Sequence, residues 1–347
     1  MKKYYTEEIE LDAPHRKAYV DGIEKFLFEQ REKEERTRIE YINPERYMAN
    51  PDFYRGEFVK MLGFPLTLPQ EIPTLKSKSL VAKDGNVNIY KIKLTFFGSI
   101  DFYGLFFEQL QSKESAPFVI GLHGGGGTPE LASGMHWDSG NYNHLIRRIT
   151  DRGANVFAPQ LLLWEKQHYG GSFDVEQDKP NIDAKLRQLG GSLVALELYF
   201  LRGSISYFIE QEQMNAQKIG VAGLSYGGMY ALHLAAVDER IEACYSCSWV
   251  SDSFIYSWPQ WSYQGAQKKF TAVEIAALIF PRKLVIAMGK DDPLFESKNT
   301  IQACEKIMPY FTKQGEEHNF QYVIFDGVHE SDASDCEIDF LFHAFEK

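Results

Sequence analysis

A serine lies between two glycines in the stretch 223–227, which reads Gly-Leu-Ser-Tyr-Gly. The apolar run 219–222 before it is typical of a short buried strand, and apolar residues at helical spacing follow in 229–236. A chain that turns from strand to helix within so few residues holds its apex, Ser225, in a strained conformation that exposes the hydroxyl. The helix N-terminus favours negative charge beside that hydroxyl. The stretch therefore predicts a reactive serine, with the Tyr226 N–H as one donor to an oxyanion.

This pattern is short enough to occur by chance, and its alternative interpretation is a glycine-rich turn with an incidental serine. A serine hydroxyl is a weak nucleophile until a base removes its proton, and the expected base is a histidine oriented by a carboxylate. His329 follows the last apolar strand pattern, 320–325, and precedes a helical pattern. His123 also follows a strand pattern, but we expect it to brace its own loop. The sequence thus predicts His329 as the base.

Three aspartates are candidates for the carboxylate that orients this histidine. Asp291 and Asp292 follow the apolar run 282–289, and Asp252 follows another strand pattern. Aspartate is also a common residue of solvated turns, which is the alternative interpretation for each of them. The position directly after a predicted strand favours Asp291 and Asp292, and the residues alone do not distinguish these two.

Four consecutive glycines follow the apolar run 117–122, in the stretch 123–129 that reads His-Gly-Gly-Gly-Gly-Thr-Pro. Glycines let the backbone lie against a ligand and point its N–H groups inward. Phosphate binding is the competing use of such loops, but neither the phosphate-loop spacing nor a G-x-G-x-x-G pattern opening into a helix is present. An H-G-G-G stretch after a central strand favours an oxyanion hole.

Apolar strands alternate with helical patterns from residue 117 onward, which predicts an α/β fold with a doubly wound, mostly parallel sheet. Strand patterns between 79 and 107 predict an antiparallel edge. Helices are predicted over 141–152, 189–213, 299–308 and 331–345. Pro309 is expected to stop or kink the helix over 299–308. Ligands bind beyond the carboxyl ends of parallel strands, where the glycine loop, serine, aspartates and histidine all lie, so we expect one shared site.

The first 75 residues have a different pattern and are predicted to be an N-terminal helical extension (1–75) packed on a catalytic domain (76–347). Residues 21–41 are dense in charge and predict an exposed amphipathic helix, and a second helix is expected over 54–62. We see no catalytic pattern in this extension. Its functional alternative is a contact between copies of the chain in a homo-oligomer.

Two later segments are predicted to shape the site. Residues 160–190 form a long connection without clear periodicity, and such connections are often functional. Residues 250–270 are rich in aromatic side chains, which would form either a substrate-binding wall or a lid packed on the body. These side chains are Phe254, Tyr256, Trp258, Trp261 and Tyr263.

Charge and composition limit the partners and the compartment. The net charge of −11 at pH 7 argues against nucleic acid and anionic membranes as partners. The first ten residues lack the apolar region of a signal peptide, and no stretch approaches the ~18 apolar residues of a membrane span, so we expect a cytoplasmic protein. Cys244 and Cys247 form a C-x-x-C pattern, which redox and metal sites also use. Because they lie in an apolar strand pattern without a second pair, we expect structural cysteines.

From about residue 79 to its end, the chain resembles the α/β-hydrolases. The resemblance is carried by the Gly-Leu-Ser-Tyr-Gly elbow, the His-Gly-Gly-Gly loop and the order serine, aspartate, histidine. The family's acid often follows its strand as G-x-x-D, which corresponds to Asp292, with Asp291 as the second choice. The resemblance implies a catalytic triad of Ser225, Asp292 and His329. It also implies an oxyanion hole formed by the N–H groups of Tyr226, Gly125 and Gly126.

A narrower resemblance is to the dienelactone hydrolases and acetyl xylan esterases. It rests on Gly-Leu-Ser-Tyr-Gly-Gly-Met at 223–229, Ala-Ala-Val-Asp-Glu-Arg-Ile at 235–241 and Leu-Gly-Gly-Ser-Leu at 189–193. Gln160 departs from the Asp-x-x-Gly that this family often has after its fourth strand. The resemblance implies a serine esterase that cleaves small-molecule carboxylic esters with small acyl groups. Its acyl-enzyme mechanism requires no metal and no cofactor.

Three other functions use related sequences. A serine peptidase or amidase of the same fold would use the same triad, but such peptidases usually carry a further domain, for which a 75-residue leader is too short. A dehalogenase would have an aspartate in place of Ser225. A non-catalytic binding protein on this scaffold normally lacks one member of the triad, and here all three are present. The sequence therefore favours the esterase.

Overall fold

The computed structural model describes residues 4–111, 113–136, 138–172, 174, 176–256 and 261–346. The strands in this part of the chain are β1 (Thr74–Asp84), β2 (Val87–Phe96), β3 (Ile100–Gln109), β4 (Phe118–Leu122), β5 (Asn155–Pro159), β6 (Ile219–Leu224), β7 (Ile241–Cys247), β8 (Lys283–Gly289) and β9 (Phe320–Phe325). They form one sheet in the order β1-β2-β3-β5-β4-β6-β7-β8-β9.

Helices precede the sheet and connect its strands. They are α1 (Ala13–Tyr41), α2 (Pro44–Ala49), α3 (Pro51–Leu62), α4 (Pro129–Ala132), α5 (Leu145–Asp151), α6 (Lys166–Tyr169), α7 (Asp178–Gln188), α8 (Leu193–Gln211), α9 (Tyr226–Val237), α10 (Ala272–Ala277), α11 (Ser297–Thr312) and α12 (Cys336–Phe342).

The sheet is parallel on one side and antiparallel on the other. Strands β5, β4, β6, β7, β8 and β9 pair in parallel. Strands β1, β2 and β3 pair antiparallel, and β3 also pairs antiparallel with β5. The predicted fold class is confirmed. Because parallel strands end at one edge of the sheet, the loops after β4, β6, β8 and β9 meet there.

Helices cover both faces of the parallel strands and create two hydrophobic cores. In β4, Phe118 and Ile120 belong to one core and Val119 belongs to the other. Successive side chains of a strand point to opposite faces, so a strand buried on both faces needs a continuous apolar run. This explains why the parallel strands were recognisable from their sequence.

The N-terminal segment is helical, as predicted, and part of it packs on the body. Tyr47, Tyr54 and Phe58 are buried in the same core as residues of α9. In contrast, residues 13–29 of α1 are exposed, although Phe28 contacts the ring of Phe254. The division into an extension and a catalytic domain at residue 75 stays a prediction, and so does a contact between copies of the chain.

The connection 160–190 contains the helices α6 and α7, which its sequence did not indicate. In α7, the buried residues are Lys179, Asp183 and Leu186, which recur at helical spacing. Two of these three are charged, so the hydrophobic pattern of this helix was too weak to recognise from the sequence. A functional role of this segment stays a prediction.

Several predicted helix limits also need correction. The helix expected over 141–152 begins only at Leu145, because Asn143 and His144 have left-handed backbone angles, with φ of 46° and 55°. The helix expected over 331–345 is shortened to α12 and a turn of 3₁₀-helix. Pro309 lies inside α11 and does not stop it, since a proline near the end of a helix removes only one hydrogen bond of the last turns.

The two cysteines of the C-x-x-C pattern lie three residues apart on β7 and point to opposite faces of the sheet. Cys244 belongs to one hydrophobic core and Cys247 to the other, and both are buried free thiols. Burial raises the pKa of the Cys247 thiol to about 12. This arrangement favours the structural interpretation. None of the described helices combines the length and the apolar composition that a membrane span needs.

Arg38 of α1 links the N-terminal segment to α10 through a buried ion pair, which generates a first prediction. Its Nε lies 3.1 Å from Oε1 of Glu274, and its Nη1 donates to the carbonyl of Gln267 at 2.7 Å. Arg38→Met leaves the buried Glu274 carboxylate without its cation. We expect the free energy of unfolding, measured by urea denaturation, to fall by about 3–5 kcal/mol.

Lys313→Met is the matched control, because Lys313 and Glu45 form an exposed pair. Exposed pairs contribute only about 0–1 kcal/mol. Equal stability losses in the two variants would show that the Arg38 pair is not an important support.

Candidate active site

Ser225 stands at a sharp turn between β6 and α9. Its backbone angles are φ 58° and ψ −118°, in a region that residues other than glycine rarely adopt. A Cβ at Gly223 would lie 2.3 Å from backbone atoms of Gly227, and a Cβ at Gly227 would lie 2.3 Å from the carbonyl oxygen of Leu122. The N–H of Ser225 donates to the carbonyl of Cys247 at 2.8 Å. The turn predicted from the sequence is present, and both glycines are needed for it.

Asp292 and His329 form a hydrogen-bonded pair beside this turn. Nδ1 of His329 lies 2.8 Å from Oδ2 of Asp292, whose side chain has no exposed surface. The other oxygen, Oδ1, accepts from the backbone N–H groups of Leu294 at 2.8 Å and Phe295 at 3.1 Å. Both oxygens of the carboxylate therefore have hydrogen-bond partners. The carboxylate favours the His329 tautomer with its proton on Nδ1, which leaves Nε2 as the proton acceptor.

Backbone contacts between two loops bring this pair together. The N–H of Lys290 donates to the carbonyl of Phe325 at 2.8 Å, and the N–H of Asp291 donates to that of Gly327 at 3.0 Å. A Cβ at Gly289 would lie 2.0 Å from the carbonyl oxygen of Val328. The end of β8 thus lies against the loop after β9 that carries His329.

The structure distinguishes the three aspartates that the sequence left open. Asp292 is the one in contact with His329. Asp291 is its exposed neighbour. Asp252 instead binds Arg31 of α1. The carboxylate beside the histidine is therefore Asp292.

The glycine loop after β4 presents its N–H groups unequally. Gly124 donates to the Tyr142 hydroxyl at 2.8 Å, and Gly126 donates to the carbonyl of Leu163 at 2.7 Å. The expectation that Gly126 contributes to an oxyanion hole is thus not supported, because its N–H is already bound. Gly125 lines the cavity at Ser225 and is the glycine of this loop that suits the role.

His123 is structural, as its burial and partners indicate. Its Nδ1 lies 2.8 Å from the carbonyl oxygen of Gly124, and its Nε2 accepts from the N–H of Leu161 at 2.9 Å. Burial lowers the pKa of His123 to about 4, so the ring is neutral and carries its proton on Nδ1. The side chain of Gln160, whose role the sequence left open, lies 3.0 Å from Nε2. His123 and Gln160 together hold the glycine loop against the loop after β5.

A cavity of about 250 Å³ opens at Ser225. Apart from His329, the described residues that line it carry no ionisable acid or base other than tyrosine. The described lining consists of Gly124, Gly125, Asn141, Tyr142, Leu224, Ser225, Tyr226, Trp261, Leu294 and His329. The described part of the lining is therefore largely free of acidic and basic side chains.

The aromatic segment 250–270 has described side chains both at the cavity and against the body of the protein. Trp261 lines the cavity, and a substrate-binding wall stays a prediction. Tyr263 is buried, and its hydroxyl lies 3.1 Å from Nε2 of His233 of α9, so it packs the segment on the body. Phe254 packs edge-on against Phe28 of α1 at 5.2 Å between ring centroids. Trp258 lies outside the described residues.

Asn141 and Tyr142 were not recognised as site residues from the sequence. Nδ2 of Asn141 donates to the carbonyl of His329 at 3.0 Å, and Tyr142 supports the glycine loop. Both residues were expected inside a helix. The signal that was overlooked is the Asn-Tyr-Asn run 141–143, because asparagine favours turns and tolerates left-handed backbone.

Comparison with known proteins gives the same fold. No protein-family model matches the chain. A Bacillus subtilis protein named "Putative hydrolase YtaP" is 21% identical over an alignment of 273 residues that covers 75% of this chain and 88% of that protein. A "putative acetyl xylan esterase" from Bacteroides fragilis superposes with a TM-score of 0.65 at 14% identity, covering 82% of this chain and 76% of that one. A glucuronoyl esterase from Solibacter usitatus gives a TM-score of 0.63 at 15% identity, covering 84% and 92%.

The chain has the α/β-hydrolase fold. The resemblance inferred from the elbow and the glycine loop is thus confirmed for the fold. In this hydrolase fold, the loops after β4, β6, β8 and β9 carry Gly125, Ser225, Asp292 and His329 to one place.

The close contact at Gly227 generates a second prediction. Gly227→Ala places a methyl group against the Leu122 carbonyl, and overpacking of this kind costs about 1–3 kcal/mol. We expect the free energy of unfolding, measured by guanidinium denaturation, to fall by this amount.

Gly56→Ala is the matched control, because a Cβ at this helical glycine meets nothing within 4 Å. It should raise the stability by about 0.5–1 kcal/mol, since alanine favours helix. A Gly227→Ala protein as stable as the wild type would contradict the packing described for the turn.

Proposed function

We propose that the protein is a serine esterase that cleaves carboxylic esters with small, uncharged acyl groups. The observation that carries this proposal is the 2.8 Å contact between Nδ1 of His329 and Oδ2 of Asp292, with His329 and Ser225 lining one cavity. Ser225 and His329 face the same space, and Asp292 reaches it through His329. The three residues come from separate loops and have the order and types of a hydrolytic triad. The coarser statement, a hydrolase, agrees with the name of the Bacillus subtilis relative.

In the proposed reaction, Nε2 of His329 removes the proton of the Ser225 hydroxyl as its oxygen attacks the ester carbonyl. The carbonyl π electrons move to the oxygen, which becomes an oxyanion. When the tetrahedral intermediate collapses, the bond to the alcohol oxygen breaks, and His329 protonates the leaving alcohol. Water then attacks the acyl-enzyme by the same steps and releases the carboxylic acid and Ser225.

Asp292 acts through His329 in this scheme. Its carboxylate keeps the histidine proton on Nδ1 and stabilises the imidazolium that forms when Nε2 takes the serine proton. Two backbone N–H groups hold Oδ1 and thus fix the direction in which Oδ2 points. This arrangement keeps the base in the tautomer that the reaction requires.

The N–H groups of Tyr226 and Gly125 are the proposed donors to the oxyanion. Tyr226 is the first residue of α9, where backbone N–H groups point out of the helix end and favour negative charge. Gly125 lies on the opposite loop and lines the same cavity. Donors held in place before the reaction stabilise developing charge without reorganisation.

The size and charge of the cavity support the substrate class. About 250 Å³ between Trp261, Tyr142 and Leu294 suits a short acyl chain rather than a long one. Two solved structures of the same fold are named as an acetyl xylan esterase and a glucuronoyl esterase, and both names describe ester cleavage. These names support the choice of esters over amides.

Hydrolysis of p-nitrophenyl acetate, butyrate and octanoate by wild type and Ser225→Ala tests the function. We expect the acetate to be hydrolysed fastest because the cavity is small. Loss of the nucleophile should lower kcat on the order of a million-fold. Activity that survives in Ser225→Ala would rule out the proposed mechanism.

Asp292→Asn and Asp291→Asn form a matched pair for the acid. We expect Asp292→Asn to lower kcat by about 10⁴-fold, because an amide in place of the carboxylate favours the wrong histidine tautomer. Asp291 is exposed, so its asparagine variant should keep nearly full activity. Steady-state kinetics of both variants checks this, and the reverse ranking would assign the role to Asp291.

A further inference from the structure

A buried lysine lies beside the residue that follows Ser225. Lys179, the second residue of α7, has no exposed surface. Its Nζ lies 4.7 Å from the ring centroid of Tyr226 and makes no hydrogen bond to any described residue. Burial of an ammonium group costs several kcal/mol unless neighbouring groups compensate. The triad mechanism does not use this charge, so its position requires another explanation.

Carboxylates on two helices act on this ammonium without bonding it. Glu197 of α8 and Asp183 of α7 both favour its charged form. Each carboxylate is tied elsewhere: Glu197 accepts from the N–H of Leu162 at 2.7 Å, and Asp183 accepts from the N–H of Leu193 at 2.9 Å. These bonds hold the two carboxyl groups in place near the lysine. Burial raises the pKa of Glu197, and Arg187 also pairs with Asp183 at 2.6 Å.

The remaining neighbours lie on α9 and the glycine loop. Tyr226 offers the ammonium its ring face, and Tyr230, one turn further along α9, interacts with the same Glu197. The charge of Lys179 acts on His123, which is neutral. The aromatic face of Tyr226 is thus the specific contact of the ammonium.

The Tyr226 ring in turn touches both sides of the proposed oxyanion hole. Its own backbone N–H is one donor. A Cβ built at Gly125 would lie only 3.1 Å from Cδ2 of this ring, so the ring packs directly on the glycine that supplies the other donor. Trp261 contacts the ring edge-on, with centroids 4.6 Å apart. The ring is therefore held between Lys179, Trp261 and Gly125.

We propose that Lys179 is a positioning residue of the oxyanion hole. Its ammonium holds the Tyr226 ring by a cation–π contact, and the ring sets the distance between the N–H groups of Tyr226 and Gly125. The inference rests on the proposed esterase function of Ser225. It assigns to α7 a catalytic support that the sequence pattern of this helix did not reveal.

The charge of Lys179 depends on pH within a measurable range. Burial lowers the pKa of Lys179 to about 8, although Glu197 and Asp183 act in the opposite direction. The ammonium is present below this pH and is lost as the pH rises through it. A neutral amine makes no cation–π contact, so kcat should fall above about pH 8.

The experiment compares wild type, Lys179→Met, Lys179→Arg and the control Lys185→Met, whose lysine is exposed on the same helix. The probe is p-nitrophenyl acetate, and kcat and KM are measured from about pH 6 to about pH 10 after subtraction of spontaneous hydrolysis.

At pH 7, Lys179→Met should lose about tenfold in kcat, less than the loss of a whole oxyanion donor, with little change in KM. The fall in kcat that the wild type shows above about pH 8 should be absent from Lys179→Met. Lys179→Arg should shift the decline beyond the measured range, because arginine stays charged.

The outcomes separate this inference from the proposed function. A wild type without esterase activity, whose Ser225 does not react with a fluorophosphonate probe, overturns both. An active wild type whose alkaline decline persists unchanged in Lys179→Arg overturns only the role of Lys179. So does a loss of kcat that Lys185→Met reproduces. If Lys179→Met does not fold, the shift in Lys179→Arg alone decides.

Discussion

The site depends on backbone contacts that only glycine permits at the carboxyl edge of the sheet. Gly223 and Gly227 let β6 turn into α9 directly against the carbonyl of Leu122, and Gly289 lets the loop after β8 lie against the carbonyl of Val328. A side chain at any of these glycines would overlap backbone atoms. The loops that carry serine, aspartate and histidine would then stay apart. The packing of the main chain is therefore required before these side chains can act together.

Two buried polar side chains near this packing, Asp292 and Lys179, are held in different ways. Asp292 is held by hydrogen bonds alone, from two backbone N–H groups and from His329. Lys179 is held by charge and by an aromatic face, without a hydrogen bond to a described residue. Both arrangements keep a charge in a low-dielectric interior, where it acts more strongly than in water. The first directs a proton acceptor, and the second is proposed to direct a pair of donors.

Much of the fold and of the site was predictable because short sequence patterns specify it. The parallel strands are continuous apolar runs, and the elbow is a five-residue motif with glycine at both ends. The helix α7 was missed because its buried positions include Lys179 and Asp183, which sequence rules treat as exposed. A charged residue enters a core only when groups from other elements compensate it, and these groups are distant in sequence.

By itself, the sequence determined the α/β class, the serine at the strand–helix turn and a histidine after the last strand, because local spacing specifies these features. Only the tertiary structure decided that Asp292 rather than Asp291 contacts the histidine. It also decided that the N–H of Gly126 is bound to the carbonyl of Leu163, which leaves Gly125 at the cavity. Such choices depend on backbone partners in other loops, and no spacing within one segment encodes which partner a neighbouring loop will offer.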